Sequence, residues 1–238
     1  MKLDINKLNM LIELKNLYKS YFLENWEEIP VLKWVNLKID TGSFIALMGE
    51  SGSGKTTLLN VIWALHPLSD WKYFLEGENI WEIFDDEILS YIRNKKMWYI
   101  FQQFNLLPKL NALENVALPA LYLWVNKKER LEKAKKLLEK VWLQDKLNSF
   151  PWELSGWQQQ RISIARSLIN DPDILLADEP TGSLDSKVSL EIMELILSLK
   201  KSWKTIIMVT HAPLVAKYAD KIIFLEDWVI TNYDYKIN

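Results

Sequence analysis

The sequence predicts an α/β fold with a largely parallel sheet, and three observations support this prediction. Short apolar runs of strand character alternate along the chain with longer segments of helical period. The glycine-rich stretch GESGSGKTT separates one such apolar run from a helical segment. The length of 238 residues fits one large domain, or a core that carries a smaller subdomain.

Each element follows from its own pattern of apolar residues. The runs SFIALMG, MWYIF, DILLAD, TIIMVT and KIIFL are short and almost uniformly apolar, which is typical of buried strands. The predicted strands are therefore residues 43–49, 97–101, 173–178, 205–210 and 221–225. Helical spacing predicts helices over residues 55–65, 127–141, 158–169 and 188–199. The third helix is expected to stop at Asn170-Asp171-Pro172, because the residue before proline disfavours helical backbone.

Composition excludes several classes of function. The net charge is −2, so no basic field predicts a nucleic-acid partner or an anionic membrane surface. Without cysteine, disulfides and thiolate chemistry are excluded. The start MKLDINKLNM lacks the apolar segment of a signal peptide, and no apolar run reaches the roughly 18 residues of a membrane helix. We therefore expect a cytoplasmic chain that reaches a membrane only through a partner.

The stretch GESGSGKTT matches G-x-x-x-x-G-K-[ST] between a predicted strand and a predicted helix, the context that a phosphate-binding P-loop requires. Its glycines allow backbone N–H groups to turn around phosphate oxygens, and the helix start adds partial positive charge. Lys55 would reach the β- and γ-phosphates, and the Thr56 hydroxyl would ligate Mg²⁺. The predicted nucleotide-binding residues of this stretch are Gly49, Glu50, Ser51, Gly52, Ser53, Gly54, Lys55, Thr56 and Thr57.

Two acids end the apolar run in ILLADEP. Asp178 can hold the Mg²⁺ shell, and Glu179 can polarise a water for in-line attack on the γ-phosphate. Alone, such a pair could equally be surface acids at a strand end. The P-loop upstream favours the catalytic interpretation, because a nucleotide site needs these parts.

Together with LSGWQ at 154–158, these motifs resemble the ATP-binding subunits of ABC transporters over nearly the whole chain and in the family's order. The resemblance implies a P-loop NTPase fold with a RecA-like core, an antiparallel β region near the N-terminus and an inserted helical subdomain. The core would comprise 1–102 and 158–238, and the helical subdomain 103–157.

The same resemblance assigns further site residues. Tyr21 would stack on adenine, and Asp185 belongs to the D-loop stretch SLD. Gln102 would sense Mg²⁺ and the attacking water, and His211 would act at the γ-phosphate. The catalytic residues implied are thus Glu179, His211 and Gln102, and the Mg²⁺ ligands are Thr56, Gln102 and Asp178.

The family mechanism implies a homodimer in which each ATP lies between the P-loop of one subunit and the signature loop of the other. Ser155 and the backbone N–H groups of Gly156 and Trp157 would contact the γ-phosphate across that interface, with Gln158 completing the motif. ATP would hold the dimer closed, and hydrolysis would release it.

A narrower resemblance is to the lipoprotein-releasing, macrolide-exporter and cell-division group of these subunits. The stretches FQQFNLLPKLNALENVALPALY and LLADEPTGSLDS carry it. It implies that this chain lies on the cytoplasmic face of a membrane and drives a separate transmembrane permease. Two alternatives remain: a cell-division regulator that signals to a wall hydrolase, and a soluble ABC-type ATPase that acts on DNA or ribosomes. A catalytically inactive binding module is a further alternative if the tryptophans described next are real.

Tryptophan is abundant and glycine is scarce: the chain has 12 Trp and only 7 Gly, although glycine usually makes up about 7% of residues. Trp26, Trp71 and Trp228 follow Asn or Asp at predicted turns, where the expected pair is Asn-Gly or Asp-Gly. Two more lie at predicted left-handed helix ends, and five fall where the family usually has glycine. At the remaining two positions glycine is acceptable, but no motif specifically predicts it. The two helix-end positions are Trp142 and Trp203, the five family glycine positions are Trp34, Trp63, Trp98, Trp124 and Trp157, and the remaining two are Trp81 and Trp152.

This pattern suggests that the tryptophan positions are encoded by UGA. Some bacteria read this codon as glycine, whereas the code used to translate this sequence reads it as tryptophan. The competing hypothesis is a truly Trp-rich chain whose exposed aromatics contact a membrane or carbohydrate. That hypothesis leaves unexplained why the tryptophans occupy turns, helix ends and a phosphate loop.

Overall fold

A computed structural model describes residues 10–65, 72–83, 85–200, 202 and 204–235. The chain divides into two compact units, Met1–Leu89 with Trp203–Asn238, and Ser90–Ser202. The predicted helical subdomain, 103–157, falls inside the second unit, and its bounds stay a prediction.

The described part of the first unit contains an antiparallel sheet and a set of mainly parallel strands. The antiparallel sheet has the order β2-β1-β4-β5, which confirms the β region predicted near the N-terminus. The other strands run in the order β10-β9-β3-β8, with β3 parallel to both β8 and β9. The strands are β1 (Met10–Phe22), β2 (Glu28–Asp40), β3 (Phe44–Met48), β4 (Lys72–Leu75), β5 (Glu78–Asn79), β8 (Thr205–Val209), β9 (Lys221–Glu226) and β10 (Val229–Tyr235). Helices of this unit are α1 (Lys55–Ile62), the 3₁₀ turn Ile80–Glu82 and α7 (Pro213–Ala216).

The second unit combines a parallel strand pair with helices. Strands β6 (Met97–Ile100) and β7 (Ile174–Asp178) are parallel neighbours. Helices α3, α4 and α5 pack against one another. The helices are α2 (Asp86–Lys96), which begins in the first unit, α3 (Ala112–Leu121), α4 (Lys127–Lys140), the 3₁₀ turn Pro151–Glu153, α5 (Gly156–Ser167) and α6 (Ser186–Lys200).

All five predicted strands and all four predicted helices are confirmed, with shifts at their ends. Helix α1 stops at Ile62 because Ala64 takes left-handed backbone at φ 54°. Helix α5 begins at Gly156 rather than 158, because Ser155 is its N-cap. The Ser155 N–H donates to Oε1 of Gln158 at 2.9 Å, which closes the first turn. Strands β3, β7 and β8 are almost fully buried, which explains their uninterrupted apolar runs.

Five tryptophans take left-handed backbone. Left-handed φ was predicted at Trp26, Trp142 and Trp228, and the structure confirms it at 63°, 58° and 69°. Trp34 and Trp124 behave likewise, at 53° and 58°. Trp71 and Trp203, at which the sequence also predicts glycine-like backbone, lie outside the described residues.

Each of the five lies in a backbone motif that ordinarily takes glycine. Trp124 and Trp142 end helices in the Schellman pattern: Val125 N–H bonds to Ala120 O, and Leu143 N–H to Leu138 O. Trp228 is the second residue of the two-residue hairpin between β9 and β10, where both central residues need positive φ. Trp34 lies at a bulge in β2, and Trp26 follows a tight turn closed by its own N–H on Leu23 O.

Replacing Trp124 by glycine should therefore stabilise the chain. The side chain is 94% exposed, so its removal forfeits little burial. Relief of the left-handed strain at φ 58° should raise the free energy of unfolding by about 1 kcal/mol. The measurement is the urea midpoint of Trp124→Gly against the parent and against Trp124→Ala, which keeps the Cβ and the strain.

Trp152→Gly is the matched control. Trp152 is also exposed, at 68%, but it lies in a 3₁₀ turn and stacks on Phe150 with ring centroids 4.6 Å apart. Glycine should lower stability there, because it loses the stack and gains unfolded-state freedom. Equal midpoints for Trp124→Gly and Trp124→Ala would contradict the strain argument.

Candidate functional site

The loop between β3 and α1 is built on left-handed glycines. Gly49, Gly52 and Gly54 have φ of 147°, 80° and 97°. A Cβ at Gly49 would overlap the carbonyl oxygen of Leu225, and one at Gly54 would lie 2.5 Å from that of Val31. Strands β9 and β2 therefore approach the loop so closely that only glycine fits at these two points.

Lys55 places its ammonium group within this loop. The residue is 5% exposed, and Nζ donates to the carbonyls of Gly49 at 3.0 Å and Glu50 at 2.6 Å. Helix α1 has Gly54 as its N-cap and no capping side chain, so its first N–H groups are not closed off by a side chain. A buried cation beside an uncapped helix start can bind an anion, as the sequence predicts for phosphate.

His211 follows β8 at the same end of the sheet. Strands β3 and β8 are parallel neighbours, with Leu47 opposite Val209, and the Thr210 N–H donates to Leu47 O at 3.2 Å. His211 therefore leaves β8 at the edge where Gly49 leaves β3. Its side chain is exposed, which suits a group that contacts a ligand at this edge.

Tyr21 lies on the strand pair beside the P-loop. It pairs with Ile29 of β2, two residues from Val31, whose carbonyl abuts Gly54. The ring is 41% exposed and has the Lys19 ammonium 5.0 Å from its centroid. An exposed aromatic on this strand is consistent with the adenine-stacking role that the resemblance implies.

Trp228 contacts the P-loop, which sequence reasoning missed. Its indole Nε1 donates to the carbonyl of Gly52 at 3.0 Å, and its ring lies 4.4 Å from the Lys33 ammonium. The sequence indicated only a turn at this position. No signal in the sequence places the β9–β10 hairpin against the P-loop, because that contact joins residues 176 positions apart.

Within the second unit, Asp178 is held by Tyr99. The Tyr99 hydroxyl donates to Oδ2 of Asp178 at 3.2 Å, from the neighbouring strand β6. Burial and then the Asp178 charge raise the pKa of Tyr99, so its hydroxyl stays protonated and remains a donor. The sequence did not indicate Tyr99, since the pairing of β6 with β7 is not visible in it.

Glu179 and Gln102 come together next to Asp178. Gln102 Nε2 donates to Oε2 of Glu179 at 3.3 Å. Glu179 itself has left-handed φ, 44°, and a Cβ at Gly182 would lie 3.1 Å from both side chains. The predicted base and its predicted sensor are thus in contact, at a strained turn that directs the carboxylate.

The predicted signature residues begin helix α5. Ser155 is the N-cap, and Gly156 has room for a Cβ at an ordinary 3.5 Å contact with Phe104. The indole of Trp157 lies 5.0 Å from the Arg161 guanidinium, which Trp142 flanks at 4.9 Å. The helix start therefore places the Ser155 hydroxyl next to a bulky aromatic in sequence.

Asp185 has a structural role in addition to its predicted one. Its Oδ1 accepts from the N–H groups of Lys187 and Val188, each at 3.0 Å, at the start of α6. This is the cap that the first turn of a helix ordinarily requires. The D-loop role of Asp185 stays a prediction.

The donor set fits a magnesium ion that is held mainly by substrate. Among the described residues, no group of three or more His, Asp or Glu side chains could hold a metal by itself. Mg²⁺ usually takes one or two protein oxygens and completes its shell with phosphates and water. The first unit offers the Thr56 hydroxyl and the second unit offers the Asp178 carboxylate and the Gln102 amide; that these oxygens hold one ion stays a prediction. Within the described ranges, no helix is long and apolar enough to cross a membrane.

Comparisons with known proteins agree with these features. Residues 32–182 match the family model described as ABC transporter. The ABC transporter ATP-binding protein YvrO of Bacillus subtilis is 48% identical over 91% of this chain and 94% of its own length. The macrolide export ATP-binding/permease protein MacB of Aggregatibacter actinomycetemcomitans is 47% identical, but the chain spans only 33% of it.

A solved structure resembles the fold over nearly its full extent. It is described as the dimeric post-hydrolysis state of the ATP-binding cassette MJ0796 bound to ADP and Pi. The TM-score is 0.88 and the identity 40%, with 96% of this chain and 100% of that chain covered. With the P-loop and the acidic strand end in place, the chain belongs to the ABC transporter family as an ATP-binding domain with the fold of an ABC-type ATPase.

Proposed function

We propose that this ATPase domain works as a homodimer that couples hydrolysis of Mg-ATP to a separate membrane permease, in transport of the lipoprotein-release, macrolide-export or peptide-export type. The observation that carries the proposal is the glycine loop with the buried Lys55 ammonium at the start of α1. This arrangement binds phosphate and has no other evident use.

The site residues divide the chemistry among them. Lys55 and the α1 N-terminus bind the β- and γ-phosphates, while Thr56, Gln102 and Asp178 would hold Mg²⁺, which would neutralise phosphate charge. Glu179 polarises the attacking water, and Gln102, which already donates to Glu179, orients that carboxylate. His211 acts at the γ-phosphate from the end of β8, and Tyr21 stacks on the base.

The dimer is proposed because a phosphate held by one P-loop still lacks donors on its outer side. Ser155 and the first N–H groups of α5 are such donors, and a second copy would supply them. In support, the solved relative MJ0796 is described as a dimer bound to ADP and Pi. ATP then closes the dimer, and hydrolysis opens it.

A separate permease is supported by two kinds of relative. The chain covers 94% of YvrO, which is named an ATP-binding protein. It covers 33% of MacB, whose name combines an ATP-binding protein with a permease. We place the domain at the inner face of the cell membrane, attached through its permease. Tagged protein trapped with ATP and purified from its own membranes should retain a membrane protein with few spanning helices. Recovery of ribosomes or DNA instead would contradict this proposal.

A chain synthesised with tryptophan at all twelve positions, called the literal chain below, should form little dimer when ATP is added. An indole at 157 occupies the start of α5 where bare backbone has to approach the phosphate. Compared with a chain carrying glycine at all twelve positions, its hydrolysis should be about 100-fold slower, the usual cost of losing an oxyanion donor. The measurements are phosphate release and sedimentation with and without ATP.

Two variants of the literal chain make this prediction specific. Trp157→Gly alone should restore part of the activity, whereas Trp152→Gly, on the preceding 3₁₀ turn, should restore none. Cooperative hydrolysis by the literal chain at the rate of the glycine chain would contradict the proposed role of position 157.

In the glycine chain, Glu179→Gln should abolish turnover and preserve ATP binding. The amide cannot accept a proton from water, so hydrolysis should fall by about 100-fold or more. With hydrolysis blocked, the ATP-bound dimer should persist in sedimentation. The control is Glu194→Gln, the same change at an exposed position on α6. Unchanged turnover in Glu179→Gln would assign the base to another residue.

A further inference from the structure

None of the twelve tryptophan side chains has a chemical role in the proposed function, yet their positions are not random. Five of the seven glycines have positive φ, and five tryptophans do as well. Among described non-glycine residues at positive φ, tryptophan is more frequent than Asn and Asp together. Asn and Asp reach this region through local hydrogen bonds of their short side chains, a means that an indole lacks.

The indoles at these positions gain little from burial. Trp26, Trp34, Trp124 and Trp142 are 84%, 67%, 94% and 60% exposed. Burial of apolar surface is what ordinarily favours so large a side chain. The backbone at these four points therefore selects against tryptophan, and burial does not offset the strain, although Trp34 lies 5.3 Å from the Tyr18 ring and Trp142 lies 4.9 Å from the Arg161 guanidinium.

Trp98 is also poorly suited to its surroundings, but for a different reason. The indole Nε1 of Trp98, on β6, is buried and has no hydrogen-bond acceptor among the described residues. A buried tryptophan N–H ordinarily finds one, because leaving it unpaired is costly. This site thus conflicts with tryptophan although its backbone is an ordinary strand.

A functional aromatic surface would look different. Such a surface groups aromatics on one face, on backbone that each residue tolerates. Here the tryptophans occupy two helix ends, a hairpin turn, a bulge, a loop turn, a strand interior and the start of α5. Five of these seven places share the left-handed backbone that glycine permits.

We propose that all twelve positions are glycine in the protein that the cell makes, because each is encoded by UGA and a glycine tRNA reads that codon. Reading the same gene with the code in which UGA means tryptophan yields the printed sequence. The seven printed glycines are then those with ordinary glycine codons, which accounts for the low glycine count without further assumption. The inference rests on backbone and burial and does not depend on the proposed function.

The gene gives the first test. All twelve codons should be UGA, and all seven printed glycines should have GGN codons. UGG at any of the twelve positions would overturn the proposal in its stated form.

The protein from its own cells gives the second test. The printed chain has a mass of 28.1 kDa, and the native protein should be lighter by twelve exchanges of an indolylmethyl group for hydrogen. It should also show only tyrosine fluorescence, from nine tyrosines, because no tryptophan would remain. The reference sample is the chain with all twelve tryptophans, expressed from a gene that carries UGG at those positions. Tryptophan emission from the native protein, or a mass between the two values, would refute the assignment.

Discussion

The left-handed backbone of the loop between β3 and α1 is the constraint on which phosphate binding in this protein depends. Gly49 and Gly54 allow the chain to pass within contact distance of Leu225 and Val31, where any Cβ would collide with a carbonyl. Strands β9 and β2 therefore fix the loop from outside the motif. The position of the Lys55 ammonium and of the uncapped start of α1 follows from that fit.

Much of the fold was predictable because its strands are buried along their whole length. The runs that became β3, β7 and β8 are apolar at nearly every position, and each lies within a residue or two of its predicted bounds. Helix α3 was not identified, since Pro119 lies inside it and Asn111 and Glu114 form a capping box that the pattern did not isolate. Strand β2 was missed because Trp34 obscured the glycine bulge that would have marked it.

The candidate site was predictable where a motif specifies it and not where pairing does. Lys55 was identified from the spacing of its motif, and Asp178 and Glu179 were identified because they end an apolar run downstream of that motif. Tyr99 was not, although its protonated hydroxyl orients Asp178, because a partner across two strands has no fixed offset in sequence. Asp185 shows the converse: a motif residue whose visible task is to cap α6. Motifs therefore locate chemistry, whereas the groups that orient it appear only with the fold.

Trp228 is the position at which the printed side chain has the best claim to be useful. Its hydrogen bond to Gly52 O should stabilise the hairpin by about 1 kcal/mol, the usual net contribution of such a bond. The Lys33 ammonium above the ring adds about 0.5–1 kcal/mol. Holding a bulky residue at φ 69° costs about 1–3 kcal/mol, so the contacts and the strain are of similar size. Since Asp227 beside it also has positive φ, the hairpin has the two-residue turn in which Asp-Gly is the preferred pair. Even where the indole contacts the P-loop, the backbone and not the contact explains which residue the position needs.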